Sequence, residues 1–215
     1  VKLNIVSCDR NSSAKLFSTA TGFDEVHVFH DGTSAPSNDK ITSTTCTSSL
    51  SGIGDNNHAI SPPRWRATRS FMESISMHPG SVTVEEDTYF CRNVVEKLEK
   101  CIKSIPFQTY ILSLYSPNTL ADKPVDSVNP KCWYGSQGIF VPKKVAPSLC
   151  WWFGKKLVSK HPIDYSTDAC IAEFCIQMGV PLFVCNPNLI QHLAVDGVCS
   201  AWANGKQHQS PTFLR

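Results

Sequence analysis

Apolar residues in this chain fall into short runs of strand length, and segments with helical apolar spacing separate them. Leu3-Asn-Ile-Val-Ser7 reads as a buried strand, and Ser12 or Ser13 can cap a short helix that continues through Ala20. Val26-His-Val-Phe-His30 alternates as a second strand and ends at Asp31-Gly32, a turn signal. Residues 33–61 are rich in Ser, Thr, Asn, Asp and Gly, with a short strand near Ile41 as their one regular element. A polar stretch of that length in a compact domain is usually a functional or mobile loop.

Pro62-Pro63 then opens a helix, because proline suits a first turn. Trp65, Thr68, Met72 and Ile75 form its buried face, while Arg66, Arg69 and Glu73 share another face, with Arg64 near the start. Ser81-Val-Thr-Val84 is a strand. After it, Val94, Val95, Leu98, Cys101, Ile102 and Ile105 follow the period of an amphipathic helix. Glu96–Lys100 and Glu99–Lys103 pair on its outer face. Thr109–Leu114 is a further strand, and residues 116–131 read as a Pro/Asn/Asp loop.

Gly135-Ser-Gln-Gly138 leads into the strand Ile139-Phe-Val141, and Pro142 opens a helical stretch to about Lys160. Ser166 or Thr167 caps the next helix, which stops at Gly179 with Pro181 beyond it. Pro181-Leu-Phe-Val-Cys185 is the last strand, followed by a tail without clear periodicity. Strands and helices alternate throughout. The expected class is therefore α/β, one domain over residues 1–215 with a mainly parallel central sheet flanked by helices.

Composition narrows this picture only a little. Hydrophobic residues make up 41% and charged residues 18%, so the chain is neither disordered nor membrane-spanning in character. The opening Val1-Lys-Leu-Asn-Ile-Val6 reads as a strand and not as a signal peptide. The net charge of +2 excludes no class of partner. The ten cysteines contain no Cys-x-x-Cys pair, and many lie in apolar segments, where a thiol acts as a small hydrophobe. Reduced thiols and a cytoplasmic location are expected. Asn11-Ser-Ser13 has the form of a glycosylation acceptor, a triplet common by chance.

The most informative feature is the three consecutive acids Glu85-Glu86-Asp87 at the end of an apolar strand. Acids crowded there repel one another unless a cation or a hydroxyl-rich ligand sits among them. Hard cations such as Mn²⁺ and Mg²⁺ take carboxylate oxygens and often share them with substrate phosphates. A solvated strand end is the plainer account of such a triplet.

In order along the chain stand Ile5-Val-Ser-Cys-Asp-Arg10, Val26-His-Val-Phe-His-Asp31, Val82-Thr-Val-Glu-Glu-Asp87, Tyr134-Gly-Ser-Gln-Gly-Ile-Phe-Val-Pro142, Pro162-Ile-Asp164 and Asn188-Leu-Ile-Gln-His192. Their order resembles the nucleotide-sugar glycosyltransferases of the GT-A (Rossmann-like) fold, in particular small enzymes of the family-25 type. Glu86 departs from the Asp often found there.

The resemblance implies a donor that is a nucleotide sugar, UDP-linked, and a catalytic Mn²⁺ or Mg²⁺. It implies Asp87 and His192 as metal ligands, with Glu85 on ribose or sugar hydroxyls and Glu86 beside it. It implies nucleotide contacts from Ser7, Asp9, Arg10 and Asp31, and sugar contacts near Gly135 and Gln137. Arg66 and Arg69 carry forks that match phosphate oxygens, though a solvated helix face explains them equally. Asp164, then Asp168, are the candidate bases for the acceptor hydroxyl, and either can simply stabilise a helix N-terminus. A hydrogen-bonded structural role is the rival account of His192.

For the acceptor, residues 142–160 interleave five lysines with Trp151, Trp152 and Phe153. Lys143, Lys144, Trp151, Trp152 and Lys155 together have the composition of a surface for nucleic-acid phosphates and bases. That suggests 5-hydroxymethylcytosine or a related hydroxymethyl-pyrimidine in DNA as acceptor, as in small phage DNA glycosyltransferases acting in a host cytoplasm. An amphipathic helix with buried Trp and snorkelling Lys accounts for the same residues. The family resemblance points instead to lipopolysaccharide or protein-linked glycan acceptors. A module of the same fold that binds nucleotide or nucleic acid without catalysis is the remaining alternative.

Overall fold

Val6, whose side chain faces one layer of helices, follows Ile5, which faces the other, and this period-two alternation builds the whole molecule. The computed structural model describes residues 1–7, 13–30, 41–45, 63–117, 123–158, 166–193, 210, 212 and 213. Strands β1 (Lys2–Ser7), β2 (Glu25–His30), β3 (Ile41–Thr45) and β4 (Val82–Glu85) come first, with helices α1 (Ser13–Thr19) and α2 (Pro63–Met77) between them. Strand β5 (Thr88–Phe90), helix α3 (Val94–Ser104), and strands β6 (Ile111–Ser113), β7 (Val125–Ser127) and β8 (Gly138–Phe140) follow. Helices α4 (Ala146–Val158) and α5 (Thr167–Met178) and strands β9 (Leu182–Cys185) and β10 (Ile190–His192) complete the chain.

Eight strands form one sheet in the order β3-β2-β1-β4-β8-β6-β9-β7. Six of them run one way, while β8 and β7 run against them. Leu16 of α1 and Val94, Leu98 and Cys101 of α3 cover one face, on Leu3, Ile5, Val82 and Val84. Phe71, Met72 and Ile75 of α2, Leu149 and Phe153 of α4, and Ile171 and Phe174 of α5 cover the other, on Val6, Ile111, Ile139 and Val184. This is the mainly parallel, helix-flanked α/β class that the alternation of elements predicts.

Several boundaries differ from the sequence expectation. Thr109 and Tyr110 precede β6 and do not join it. The helix after Pro142 starts later, because Val145 N and Ala146 N both donate to the Pro142 carbonyl in a tight turn. The segment expected to be a loop holds β7, and the tail expected to be irregular holds β10. Ser166 does cap α5, accepting from Ala169 N at 3.4 Å, and Gly179 ends it in the left-handed region with φ 65°. The seven described cysteines are all free thiols. No described helix is long and apolar enough to cross a membrane.

The topology reverses at one point. The β1-α1-β2 connection runs over one face and the β3-α2-β4 connection over the other, so the chain reverses its winding between β1 and β4. In open α/β sheets, ligands bind beyond the carboxyl ends of the strands at such a reversal. Ser7 and Glu85 end the two strands that flank it.

Candidate functional site

The acidic triplet sits where β4 leaves the sheet. Glu85 N donates to the Gln137 carbonyl at 3.0 Å, and Glu86 N to the Val6 carbonyl at 3.1 Å. Thr88 Oγ1 donates to the Glu85 carbonyl at 2.8 Å and closes the turn. With the backbone held at both sides, the three carboxylates go to different partners. Glu85 accepts from Ser136 Oγ at 3.2 Å, and Glu86 accepts from Ser7 Oγ at 2.7 Å. Asp87 Oδ2 lies 3.1 Å from His192 Nε2.

His192 comes from far along the chain. Strand β10 pairs antiparallel with β5, which puts His192 opposite Thr88, one residue from Asp87. One donor atom each from Glu85, Asp87 and His192 then lies within 4.8 Å of the others. Asp87 is buried, and Glu85 and His192 are half-buried. Burial first, then the Asp87 charge, push the Glu85 carboxyl up to about 7, against the opposing pull of His192. Asp168, in the first turn of α5, is close enough for its charge to add to the rise. A carboxyl whose ionisation is opposed by a neighbouring carboxylate, with an imidazole beside both, offers a donor set for a divalent cation. The residues present therefore fit such an ion.

The expected site residues divide into groups. Glu85, Asp87 and His192 come together, the charge of Asp168 reaches Glu85, and Gln137 is joined to Glu85 through its backbone. Glu85, expected on ribose or sugar hydroxyls, also offers an oxygen to the group that could hold a metal ion. Ser7 and Glu86, expected to meet the nucleotide, are bonded to each other, and Glu86 is only 3% exposed. Gly135 has a structural reason to be glycine: a Cβ there would lie 2.3 Å from the Tyr115 carbonyl oxygen. Arg69 Nε donates to Glu73 at 3.2 Å along α2, the helix-face pairing its spacing allows. Asp9, Arg10, Asp31 and Asp164, and the side chains of Arg64 and Arg66, lie outside the described residues, as does the Asn11 triplet.

The basic aromatic segment does not form one surface. Lys143 and Lys144 follow β8, which runs against its neighbours, so they lie at the edge of the sheet opposite the acids. There the Lys143 methylenes pack over Gly80, and Lys144 Nζ donates to Gln108. Trp152 is buried against Phe174 and donates to Gln177 Oε1 at 3.0 Å. Trp151 is exposed, with Lys155 Nζ 4.1 Å from its ring centroid. Ser136 is a site residue that sequence reasoning did not single out, although it stands inside the Gly135–Gly138 segment it did.

The sequence matches no protein-family model and no curated protein. Among solved structures it is similar to the CTP:phosphocholine cytidylyltransferase of Streptococcus pneumoniae, with a TM-score of 0.44 and 10% identity. That likeness covers 90% of this chain and 94% of the other. A likeness so distant leaves the fold to be read from the strand order itself.

Proposed function

We propose that this protein is a metal-dependent glycosyltransferase of the GT-A kind, moving a sugar from a nucleoside-diphosphate donor, UDP-linked, to a hydroxyl acceptor. The observation that carries the reading is the convergence of Glu85, Asp87 and His192 beyond the carboxyl end of β4, at the reversal of winding between β1 and β4. A divalent cation held by these three side chains would neutralise the charge of a diphosphate leaving group. The ordered motifs along the chain support the sugar-nucleotide part of the reading.

In this account the chain's own residues divide the remaining work. Ser136 holds the Glu85 carboxylate in place, and the Ser7–Glu86 bond ties the carboxyl ends of β1 and β4 together. Asp168 or Asp164 takes the proton of the acceptor hydroxyl, and the charge of Asp168 reaches Glu85. Arg66 and Arg69, on the first turns of α2, are the candidates for donor phosphates. Because Lys143 and Lys144 lie at the far edge and Trp152 is buried, the reading names a hydroxyl acceptor and no nucleic acid.

The test is a panel of nucleotide sugars incubated with Mn²⁺, with release of nucleoside diphosphate as the readout. Release that disappears in Asp87→Ala supports the proposal. Release of pyrophosphate from a free nucleoside triphosphate would assign a nucleotidyl transfer in its place. Nucleotide binding without turnover of any donor would favour the non-catalytic module.

A further inference from the structure

Two of the three potential ligands depend on a ribbon too small to stand alone. Strands β5 and β10 contribute three residues each, paired as Ile190–Phe90, Gln191–Tyr89 and His192–Thr88. A two-stranded unit is marginal in water even when a tight turn joins its strands. Here no turn does, since α3 to β9 lie between them. Asp87 enters the ribbon at one end, where Leu193 N donates to its carbonyl at 2.6 Å. The approach of His192 to Asp87 is therefore only as firm as the ribbon.

Residues near the carboxyl end of the chain fasten it. Asn188, 1% exposed, precedes β10 by two positions. Its Nδ2 donates to the Ser116 carbonyl at 2.7 Å and to Ser210 Oγ at 2.6 Å. Its backbone N donates to Thr212 Oγ1 at 3.1 Å. Ser210 N donates to Gln191 Oε1 at 2.9 Å, next to His192 itself. Thr212 N donates to Ser210 Oγ at 3.2 Å, and the Phe213 ring meets Tyr89 edge-on with centroids 5.2 Å apart. The contacts of Ser210 and Thr212 go to the entry and middle of β10, and that of Phe213 goes to the middle of β5.

We propose that Ser210, Thr212 and Phe213 form a strap, fastened through Asn188 and Gln191, that positions His192 for the metal. The proposal rests on the metal reading of the trio. The strap residues touch no substrate; they act through the ribbon, as outer partners orient the ligands of metal sites generally. Loss of the strap leaves the eight-stranded sheet intact and loosens one ligand.

The experiment compares the intact chain with a chain ending at Gln209 and with the milder Ser210→Ala/Thr212→Val pair, each also in a His192→Ala background. Mn²⁺ affinity is read from the spectrum of free Mn²⁺, and amide exchange is followed in β5, β10 and Leu193. The expected result is folded variants whose ribbon amides exchange faster while the large sheet stays protected. Their Mn²⁺ affinity falls about tenfold or more, and no further loss occurs once His192 is already Ala. Unchanged affinity and exchange in folded variants would overturn the strap. So would a loss that persists undiminished in the His192→Ala background. If the intact chain takes no Mn²⁺ but ribbon exchange still rises in the variants, the metal reading falls while the strap's hold on β10 stands.

Discussion

The Ser7 hydroxyl donates to the Glu86 carboxylate across 2.7 Å and ties together the carboxyl ends of two neighbouring parallel strands. Ser7 is 6% exposed and Glu86 3%, so the bond is shielded from water. Ser7→Ala removes a charge-assisted bond from a buried carboxylate and should cost about 1.5–3 kcal/mol. Denaturant unfolding checks this, and Glu86→Gln, which keeps an acceptor for the hydroxyl, should cost less. Equal losses in the two variants would show that the charge of Glu86 matters more than the bond.

Glu85 makes stability depend on pH. Its carboxyl lies at about 7 in the fold against an ordinary 4.5, so the folded chain holds this proton more tightly than the unfolded one. Its contribution is full below the unfolded value and is lost as pH rises to about 7. Metal-free protein should therefore lose part of its stability between about pH 5 and about pH 7, and Glu85→Gln should flatten that decline. A decline of the same size in Glu85→Gln would assign it to other groups.

Mn²⁺ should invert the dependence. A bound cation takes the place of the Glu85 proton, so affinity should rise with pH up to about 7 and level off above it. Asp87→Asn should weaken binding by about a hundredfold or more, beyond what loss of an outer partner costs. Titration calorimetry at several pH values measures both effects.

Gly135→Ala should be poorly tolerated. The new methyl would meet the Tyr115 carbonyl at 2.3 Å and the Trp133 indole nitrogen at 2.8 Å, and a backbone atom cannot swing aside. A loss of about 1–3 kcal/mol is expected, as for other overpacked positions. Because Ser136 is the next residue and holds Glu85, Mn²⁺ affinity should drop as well. Stability lost without any change in affinity would mean the turn relaxes away from the site.

The adjacent tryptophans of α4 should behave oppositely. Trp152→Ala empties a core position and should cost about 3–5 kcal/mol. Trp151 is 57% exposed, and Trp151→Ala should stay within about 0.5 kcal/mol. Thermal melts of the two variants distinguish a core residue from a surface one within a single dipeptide.

These cases show what the sequence makes legible. Strand-like apolar runs marked β1, β2, β4, β6 and β9, and helical spacing or a cap, proline or stop residue marked the five helices. The triplet at 85–87 and His192 could be picked out by residue type and order. Three strands could not. β5, β7 and β10 hold three residues each and, unlike the equally short β6 and β8, have no strand-like run such as Thr109–Leu114 or Ile139–Val141 around them, so they exist through tertiary pairing. For the same reason the division of labour within the triplet was hidden. Whether Glu85 or Glu86 faces the ligand position depends on Ser136 and Ser7, which lie far away in sequence. The amphipathic composition of residues 142–160 suggested one surface, but Pro142 starts a turn, which separates the first lysines from the helix.

The antiparallel strand β8 lies between β4 and β6, so the two parallel halves of the sheet never pair with each other directly. Five register pairs join them, all made by Gly138, Ile139 and Phe140. In a chain growing from its amino end, β1 to β4 can assemble long before that strand exists, and β4 then waits with an open edge. Such edges recruit other chains. For this fold the hazard during synthesis is concentrated in the interval between the emergence of Glu85 and that of Phe140.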